Sequence, residues 1–197
     1  ATVLDRSSPS GETPTDWGYK HSSVSVREPG FSRATAWYIE TKAPKGQIIL
    51  MAHNGGDKSH PLMRWSAGFL LDRGYNVVLT DLRGQGESGG LKTYGAGEAI
   101  DAANLVARVL TDHPNLPVGG LGYSLGAAAL IRAMGLVKSL EAVAAFAPYS
   151  RMDRDLVRQE ITYQTGGSWT GTGMMPGLLA GGFRLWAFSF SPIPQPI

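Results

Sequence analysis

The sequence predicts an α/β protein with a mostly parallel sheet and helices on both of its faces. Short, continuous apolar runs alternate with longer segments in which apolar residues recur at helical spacing. Continuous apolar runs are typical of strands that are buried on both faces. Strands that alternate with helices of about 10–15 residues indicate βαβ units, and therefore a parallel sheet.

Three segments in the first half of the chain are predicted as strands: 21–27, 34–41 and 47–52. The dipeptide Pro29-Gly30 is a turn signal between the first two strands. The third is a short apolar run, as expected of a buried parallel strand. Apolar residues then recur at helical spacing from Leu62 to Leu70, and Gly74 takes the C-cap role after this helix.

The alternation continues along the chain, with further strands predicted at 75–80, 116–121 and 140–147. Helices are predicted at 99–110 and 127–134, and the segment 152–163 is predicted to start a further helix. The first of these helices has one apolar face, formed by Ala99, Ala103, Val106 and Leu110. No internal repeat interrupts the alternation.

The predicted domain organisation is one core with flanking segments. The core spans 20–164 and follows a polar N-terminal extension at 1–19. A cap-like excursion rich in Gly, Thr and Met spans 165–190, and a Pro-rich tail spans 191–197. The polar start lacks an initiator Met. It suits an N-terminus left after removal of a signal or anchor, which favours the cell envelope or a secreted location. An arbitrary starting point of the sequence explains it equally well.

Composition narrows the function classes. The chain has 197 residues, 43% hydrophobic and 17% charged, which is enough for one globular domain with a sizeable core. The formal net charge of +2 and the scattered Lys and Arg residues argue against nucleic-acid binding. The absence of cysteine excludes disulfides and thiolate zinc sites. No apolar run reaches membrane-spanning length.

The segment Gly122-Tyr123-Ser124-Leu125-Gly126 carries the clearest chemistry. It fits G-x-S-x-G, and it stands between a predicted strand and a predicted helix. This context is the nucleophile elbow, a tight turn that presents the Ser hydroxyl and aims the next N–H at a substrate carbonyl oxygen. Ser124 is therefore the predicted nucleophile and Leu125 an oxyanion donor. The alternative is an ordinary Gly-rich turn.

Two further loops follow predicted strands. After the strand at 47–52 comes H-N-G-G at 53–56, and after the strand at 75–80 comes D-L-R-G-Q-G-E-S at 81–88. With the elbow, these motifs cover about 34–150 and resemble the α/β-hydrolase superfamily. They are most similar to bacterial serine hydrolases of the serine-aminopeptidase-like and esterase-like branch.

This resemblance implies the α/β-hydrolase fold and an acyl-enzyme on Ser124, with no metal or organic cofactor. It also implies that the loop after the strand at 47–52 supplies the second oxyanion donor. That loop is one residue shorter than the family motif, and Asn54 is the expected donor. His53 and Tyr123 are the candidate substrate contacts. His53 and His60 are expected near the carboxyl edge of the sheet, where ligands bind in such folds, and the alternative for both histidines is a structural or solvated role.

The histidines depart from the family pattern. The family places its acid and its His downstream of the Ser, whereas His21, His53, His60 and His113 all precede Ser124. His113 comes just before the elbow strand, at the opposite end of the sheet from Ser124, so it is excluded from a triad. The C-terminal strands of the fold are therefore expected to be missing from this chain.

A companion C-terminal fragment of the same fold is the expected partner, either as a second chain or as downstream sequence. It would pair with the strand at 140–147, which is apolar and lacks Pro, and would supply the His and the acid. The chain alone is then not expected to be active. The expected substrate is a small molecule with an ester, thioester or amide bond.

Other interpretations of the sequence remain open. The missing His also suits a catalytically inactive α/β-hydrolase scaffold that binds a ligand or a protein, and the motif set also suits a serine peptidase. The glycines at 84–89 formally fit a dinucleotide fingerprint, but no helix opens there. Asp81 and Arg83 are expected to form a buried ion pair that shapes their loop.

Overall fold

The computed structural model describes residues 11–27 and 33–149. The chain divides into two compact units, Ala1–Pro148 and Tyr149–Ile197. The predicted helix at 152–163, the excursion at 165–190, the tail at 191–197 and the first ten residues lie outside the described residues.

Six strands and three helices alternate along the described residues. The strands are β1 (His21–Arg27), β2 (Arg33–Ile39), β3 (Gly46–Met51), β4 (Tyr75–Thr80), β5 (Val118–Tyr123) and β6 (Leu140–Phe146). The helices are α1 (Pro61–Leu71), α2 (Ala96–Asp112) and α3 (Leu125–Met134). Each predicted strand and each of the first three predicted helices is present, with ends that move by a few residues.

Among the strands, the elbow strand moves furthest from its predicted position. The sequence predicts this strand at 116–121, whereas β5 begins at Val118 and continues to Tyr123. Pro117 lacks the N–H that a central strand needs and stays outside the ladder, although its carbonyl accepts from Gln47 N–H at 2.9 Å. The shift places Ser124 directly after the last residue of the strand.

The strands form one mixed sheet in the order β1-β2-β4-β3-β5-β6. β1 pairs antiparallel with β2, and β2 with β4, whereas β4, β3, β5 and β6 are mutually parallel. The predicted mostly parallel α/β fold is confirmed. After β3 the next strand in sequence, β4, lies on one side of β3, and the following strand, β5, lies on its other side. The direction in which strands are added therefore reverses between β3 and β5. Ligands bind in α/β sheets at the carboxyl end of such a switch point.

The core on one face of the sheet is a cluster packed between the strands and α1. Its fully buried members include Ile39, Leu50, Ala52, Met63, Ala67, Val77 and Leu79. Burial of each large apolar side chain contributes about 1.5–3 kcal/mol, which holds α1 and the end of β3 in place. Within the described ranges no helix has both the length and the apolar character needed to cross a membrane.

Candidate active site

Ser124 occupies a strained turn between β5 and α3. Its φ of 49° and ψ of −107° lie in a region that non-glycine residues rarely adopt, at a cost of about 1–3 kcal/mol. Two backbone hydrogen bonds hold the turn: Ser124 N–H donates to Phe146 O at 2.8 Å, and Ala128 N–H donates to Ser124 O at 3.0 Å. The structure thus places Ser124 in a tight turn between a strand and a helix, and its role as the nucleophile stays a prediction.

Both glycines of the motif are required by close backbone approaches. A Cβ at Gly122 would lie 2.6 Å from the Ala127 nitrogen, and a Cβ at Gly126 would lie 2.5 Å from the Ala52 oxygen. Real Cβ atoms essentially never come this close. The sequence motif is therefore a packing requirement of the turn as well as a signature.

Replacing Gly126 with alanine is expected to destabilise the protein by several kcal/mol, because rigid backbone surrounds the new methyl group on the β3 side. Gly68→Ala is the matched control, since Gly68 is also helical and its nearest neighbour would be the Tyr19 hydroxyl at 3.7 Å. That control is expected to stabilise the protein by up to about 1 kcal/mol. Urea denaturation measures both, and equal effects would contradict the proposed constraint.

Leu125 is the first residue of α3, and its side chain is buried. The first N–H groups of a helix have no acceptor within the helix, so they are available to a ligand or to neighbouring backbone. Gly126 N–H donates to Ala52 O at 3.1 Å. Leu125 N–H belongs to the peptide that follows Ser124, and its role as an oxyanion donor stays a prediction.

The loop after β3 lies against the elbow. The bond between Gly126 and Ala52 joins the two segments directly, and β3 and β5 pair in register from Gln47 with Val118 to Met51 with Gly122. His53 and Gly56 close a turn in this loop, in which Gly56 N–H donates to His53 O at 3.2 Å. The structure therefore places Asn54 on a loop that adjoins the elbow, as the sequence predicts.

His53 and His60 form a pair at this edge of the sheet. Their ring centroids lie 4.8 Å apart in an edge-on arrangement, and His53 Nδ1 donates to Asn54 O at 2.8 Å. His60 is the N-cap of α1, and its Nδ1 accepts from Leu62 N–H at 3.2 Å. Burial and the neighbouring His53 lower the pKa of His60 below its ordinary value of 6.5, and Asp57 opposes this shift.

The lowered pKa makes stability depend on pH. Protonation of His60 at Nδ1 would remove the acceptor that caps α1. Because the pKa of His60 is lower in the folded than in the unfolded protein, this contribution to stability is fully present above pH 6.5. It is lost as the pH falls through the pKa of His60 in the folded protein. His60→Asn keeps a capping side chain and removes this titration. Thermal unfolding between pH 7 and pH 5 is expected to show a shallower loss for His60→Asn than for the parent. His21→Asn in β1 is the control, and a parent-like slope in His60→Asn would contradict the assignment.

Tyr123 is held by the fold. Its hydroxyl lies 2.9 Å from the Ser66 hydroxyl of α1, and its ring stacks on Phe146 with centroids 5.2 Å apart. These contacts fix the residue that precedes Ser124. That Tyr123 and His53 also contact substrate stays a prediction.

The predicted ion pair between Asp81 and Arg83 is wrong. Asp81 pairs with Lys58, whereas Arg83 pairs with Asp101 of α2 through two bonds of 2.6 and 2.8 Å. Asp81 and Arg83 are close in sequence, but their side chains bond residues of two different segments. Their closeness in sequence therefore does not predict their partners. Lys58 also bonds Glu87 at 2.7 Å and lowers the pKa of that carboxyl below its ordinary range.

Comparison with known proteins identifies the family. A family model described as serine aminopeptidase, S33, matches residues 43–173. The chain belongs to the S33 family of α/β-hydrolases. No curated protein sequence matches it.

Solved structures show the same fold as this S33-family chain. An esterase from Pyrococcus furiosus superposes with a TM-score of 0.68 at 24% identity, covering 90% of this chain and 66% of the esterase. An α/β serine hydrolase without a lid from Xanthomonas campestris gives 0.58 at 20% identity, covering 66% and 62%. A putative α/β-hydrolase from Agrobacterium tumefaciens gives 0.57 at 25% identity, covering 64% and 60%. The chain thus spans about two thirds or less of the length of each of these proteins.

Proposed function

We propose that this chain carries the nucleophile of a serine hydrolase that cleaves a carboxylic ester, or a thioester or amide, through an acyl-enzyme on Ser124. The observation that carries the proposal is the strained Ser124 between β5 and α3, beside the loop that follows β3. Backbone strain of this kind persists only where the surrounding structure imposes it, and it is concentrated at functional sites.

In this mechanism Ser124 Oγ attacks the substrate carbonyl carbon while a His removes the hydroxyl proton. The carbonyl oxygen becomes an oxyanion that accepts from Leu125 N–H and Asn54 N–H. Each such donor contributes about 3–4 kcal/mol to the transition state. The His then protonates the leaving group, and water releases the acyl group by the same steps with His again as the base.

The His and the acid are proposed to come from a C-terminal segment of the same fold, as a separate chain or as downstream sequence. All four histidines precede Ser124, and His60 is engaged in capping α1. Among the described residues β6 is an end strand of the sheet, and its Phe146 side chain is 53% exposed. An apolar end strand favours pairing with further polypeptide.

Covalent labelling tests the proposal. A fluorophosphonate probe is expected to modify Ser124 when the C-terminal segment is present and to leave Ser124→Ala unlabelled. Intact-mass analysis of the same sample tests the companion segment. An active, monomeric 21.0 kDa species with nothing bound would contradict the need for that segment. An unlabelled Ser124 in the assembled protein would instead support an inactive scaffold.

A serine peptidase is the second candidate, because the matching family model is described as a serine aminopeptidase. Aminoacyl p-nitroanilides and short p-nitrophenyl esters separate the two activities. Higher kcat/KM on the esters supports the esterase, and higher kcat/KM on the anilides supports the peptidase.

The proposed role of Asn54 gives a specific prediction. If its backbone donates to the oxyanion, Asn54→Ala is expected to change kcat little, whereas Asn54→Pro is expected to lower it at least about tenfold by removing the N–H. Steady-state kinetics on p-nitrophenyl esters measures both variants. An equal loss in the two would implicate the Asn54 side chain instead.

A further inference from the structure

Gln85 is a fully buried polar side chain in the loop that follows β4. A buried polar group without partners costs about 1–3 kcal/mol, so the partners of Gln85 indicate what it holds. With the amide oriented by its hydrogen bonds, its NH2 donates to Gly56 O at 2.8 Å and its oxygen accepts from Gly55 N–H at 2.5 Å. Both partners are backbone groups of the loop that carries Asn54.

The peptide between Asn54 and Gly55 is held from both sides. Its N–H donates to Gln85, and its carbonyl accepts from His53 Nδ1 at 2.8 Å. The N–H and C=O of a trans peptide point in opposite directions within one plane, so the two bonds together fix the rotation of this peptide. Gly55 has a φ of +85°, and the conformational freedom of glycine would otherwise let the peptide turn.

The Gln85 backbone is itself anchored within the loop after β4. Gln85 N–H donates to Leu82 O at 3.0 Å, and Gln85 O accepts from Ser88 N–H at 3.0 Å. A second tie joins the same two loops, because Lys58 N–H donates to Asp81 Oδ1 at 2.8 Å. The loop after β4 is therefore a support on which the loop after β3 is fixed at two points.

We propose that Gln85 is a positioning residue for the oxyanion hole, acting through its clamp on the Asn54–Gly55–Gly56 backbone. The proposal rests on the function proposed above. Oxyanion donors stabilise the transition state only when they are aimed in advance at the developing charge. Loss of the clamp is therefore expected to reduce transition-state stabilisation more than substrate binding.

Gln85→Met, in the assembled enzyme, removes both bonds with little change in shape. We expect kcat on p-nitrophenyl esters to fall about 10- to 100-fold while KM stays within about twofold. Gln47→Met is the matched control, because Gln47 is also fully buried and bonds Tyr38 at 3.0 Å. Gln47 lies near the amino end of β3, so its loss is expected to lower stability while kcat is retained.

Hydrogen exchange gives a readout that does not depend on activity. The Gly55 amide is expected to lose protection in Gln85→Met and to keep it in Gln47→Met. Parent-like kcat in Gln85→Met, or unchanged Gly55 protection, overturns the proposal. Activity retained by Ser124→Ala would instead overturn the proposed function, so the two failures are distinguishable.

Gln85→Glu keeps the proposal testable if Gln85→Met does not fold. A neutral carboxylic acid at this position reproduces both bonds, whereas an ionised one cannot donate to Gly56 O. The kcat of Gln85→Glu relative to the parent is therefore expected to fall as the pH rises. A ratio that does not change with pH overturns the clamp.

Discussion

Replacing Ser124 with alanine is expected, under the proposed mechanism, to lower kcat for short p-nitrophenyl esters by about 10⁴- to 10⁶-fold. In the proposed mechanism the hydroxyl oxygen forms the acyl bond, and no other group of the elbow can replace it. What remains is the acceleration that oxyanion donors and substrate binding supply to a water attack. The fold is expected to survive, because Ser124 contributes backbone bonds to the turn that alanine retains.

Ser23→Ala is the control for this substitution, since Ser23 is an exposed residue of β1. It is expected to leave kcat unchanged. Circular dichroism checks that both variants fold. Activity of Ser124→Ala within a few-fold of the parent would remove Ser124 from the mechanism.

Replacing Lys58 with methionine is expected to destabilise the protein by about 3–5 kcal/mol. The Lys58 and Asp81 side chains are 4% and 0% exposed and form a direct ion pair. Asp81 also accepts from Thr35 Oγ1 at 3.2 Å and from Glu87 N–H at 2.9 Å. Without the ammonium these neutral donors are left to stabilise a buried carboxylate, which is a large cost.

The matched control is Arg108→Met, which removes the exposed pair of Arg108 with Asp112 on α2. Those side chains are 48% and 38% exposed, and the expected loss is about 0.5 kcal/mol or less. Chemical denaturation measures both variants, and adding Asp81→Asn to Lys58→Met is expected to recover part of the loss because it removes the unpaired charge. A loss for Lys58→Met no larger than that for Arg108→Met would show that the buried pair contributes little.

The local elements of this fold follow from features that lie close together in sequence. Continuous apolar runs mark β3 and β4, helical spacing marks α1, and the glycines at 122 and 126 mark the elbow. Each of these signals is visible within a few neighbouring residues of the sequence, although the close approach that requires Gly126 comes from Ala52 at the end of β3. The position of Ser124 could therefore be predicted from the sequence together with the fold class.

The partners of polar side chains could not be predicted in this way. Asp81 and Arg83 are two residues apart, yet they bond Lys58 and Asp101, which lie on other segments. Gln85 is polar and in a Gly-rich loop, a pattern typical of an exposed turn, and nothing in its neighbours indicates full burial. Its partners, Gly55 and Gly56, are about thirty positions earlier in the chain.

The sequence by itself determined the strand–helix alternation, the strained turn that carries Ser124 and the family to which the chain belongs. Only the tertiary structure decided the strand order, the pairing of Lys58 with Asp81 and the burial of Gln85 against the loop after β3. The physical reason is the distance along the chain over which each kind of interaction acts. Backbone sterics and apolar periodicity act between near neighbours, whereas a hydrogen bond or ion pair forms between whichever groups the packed sheet brings together.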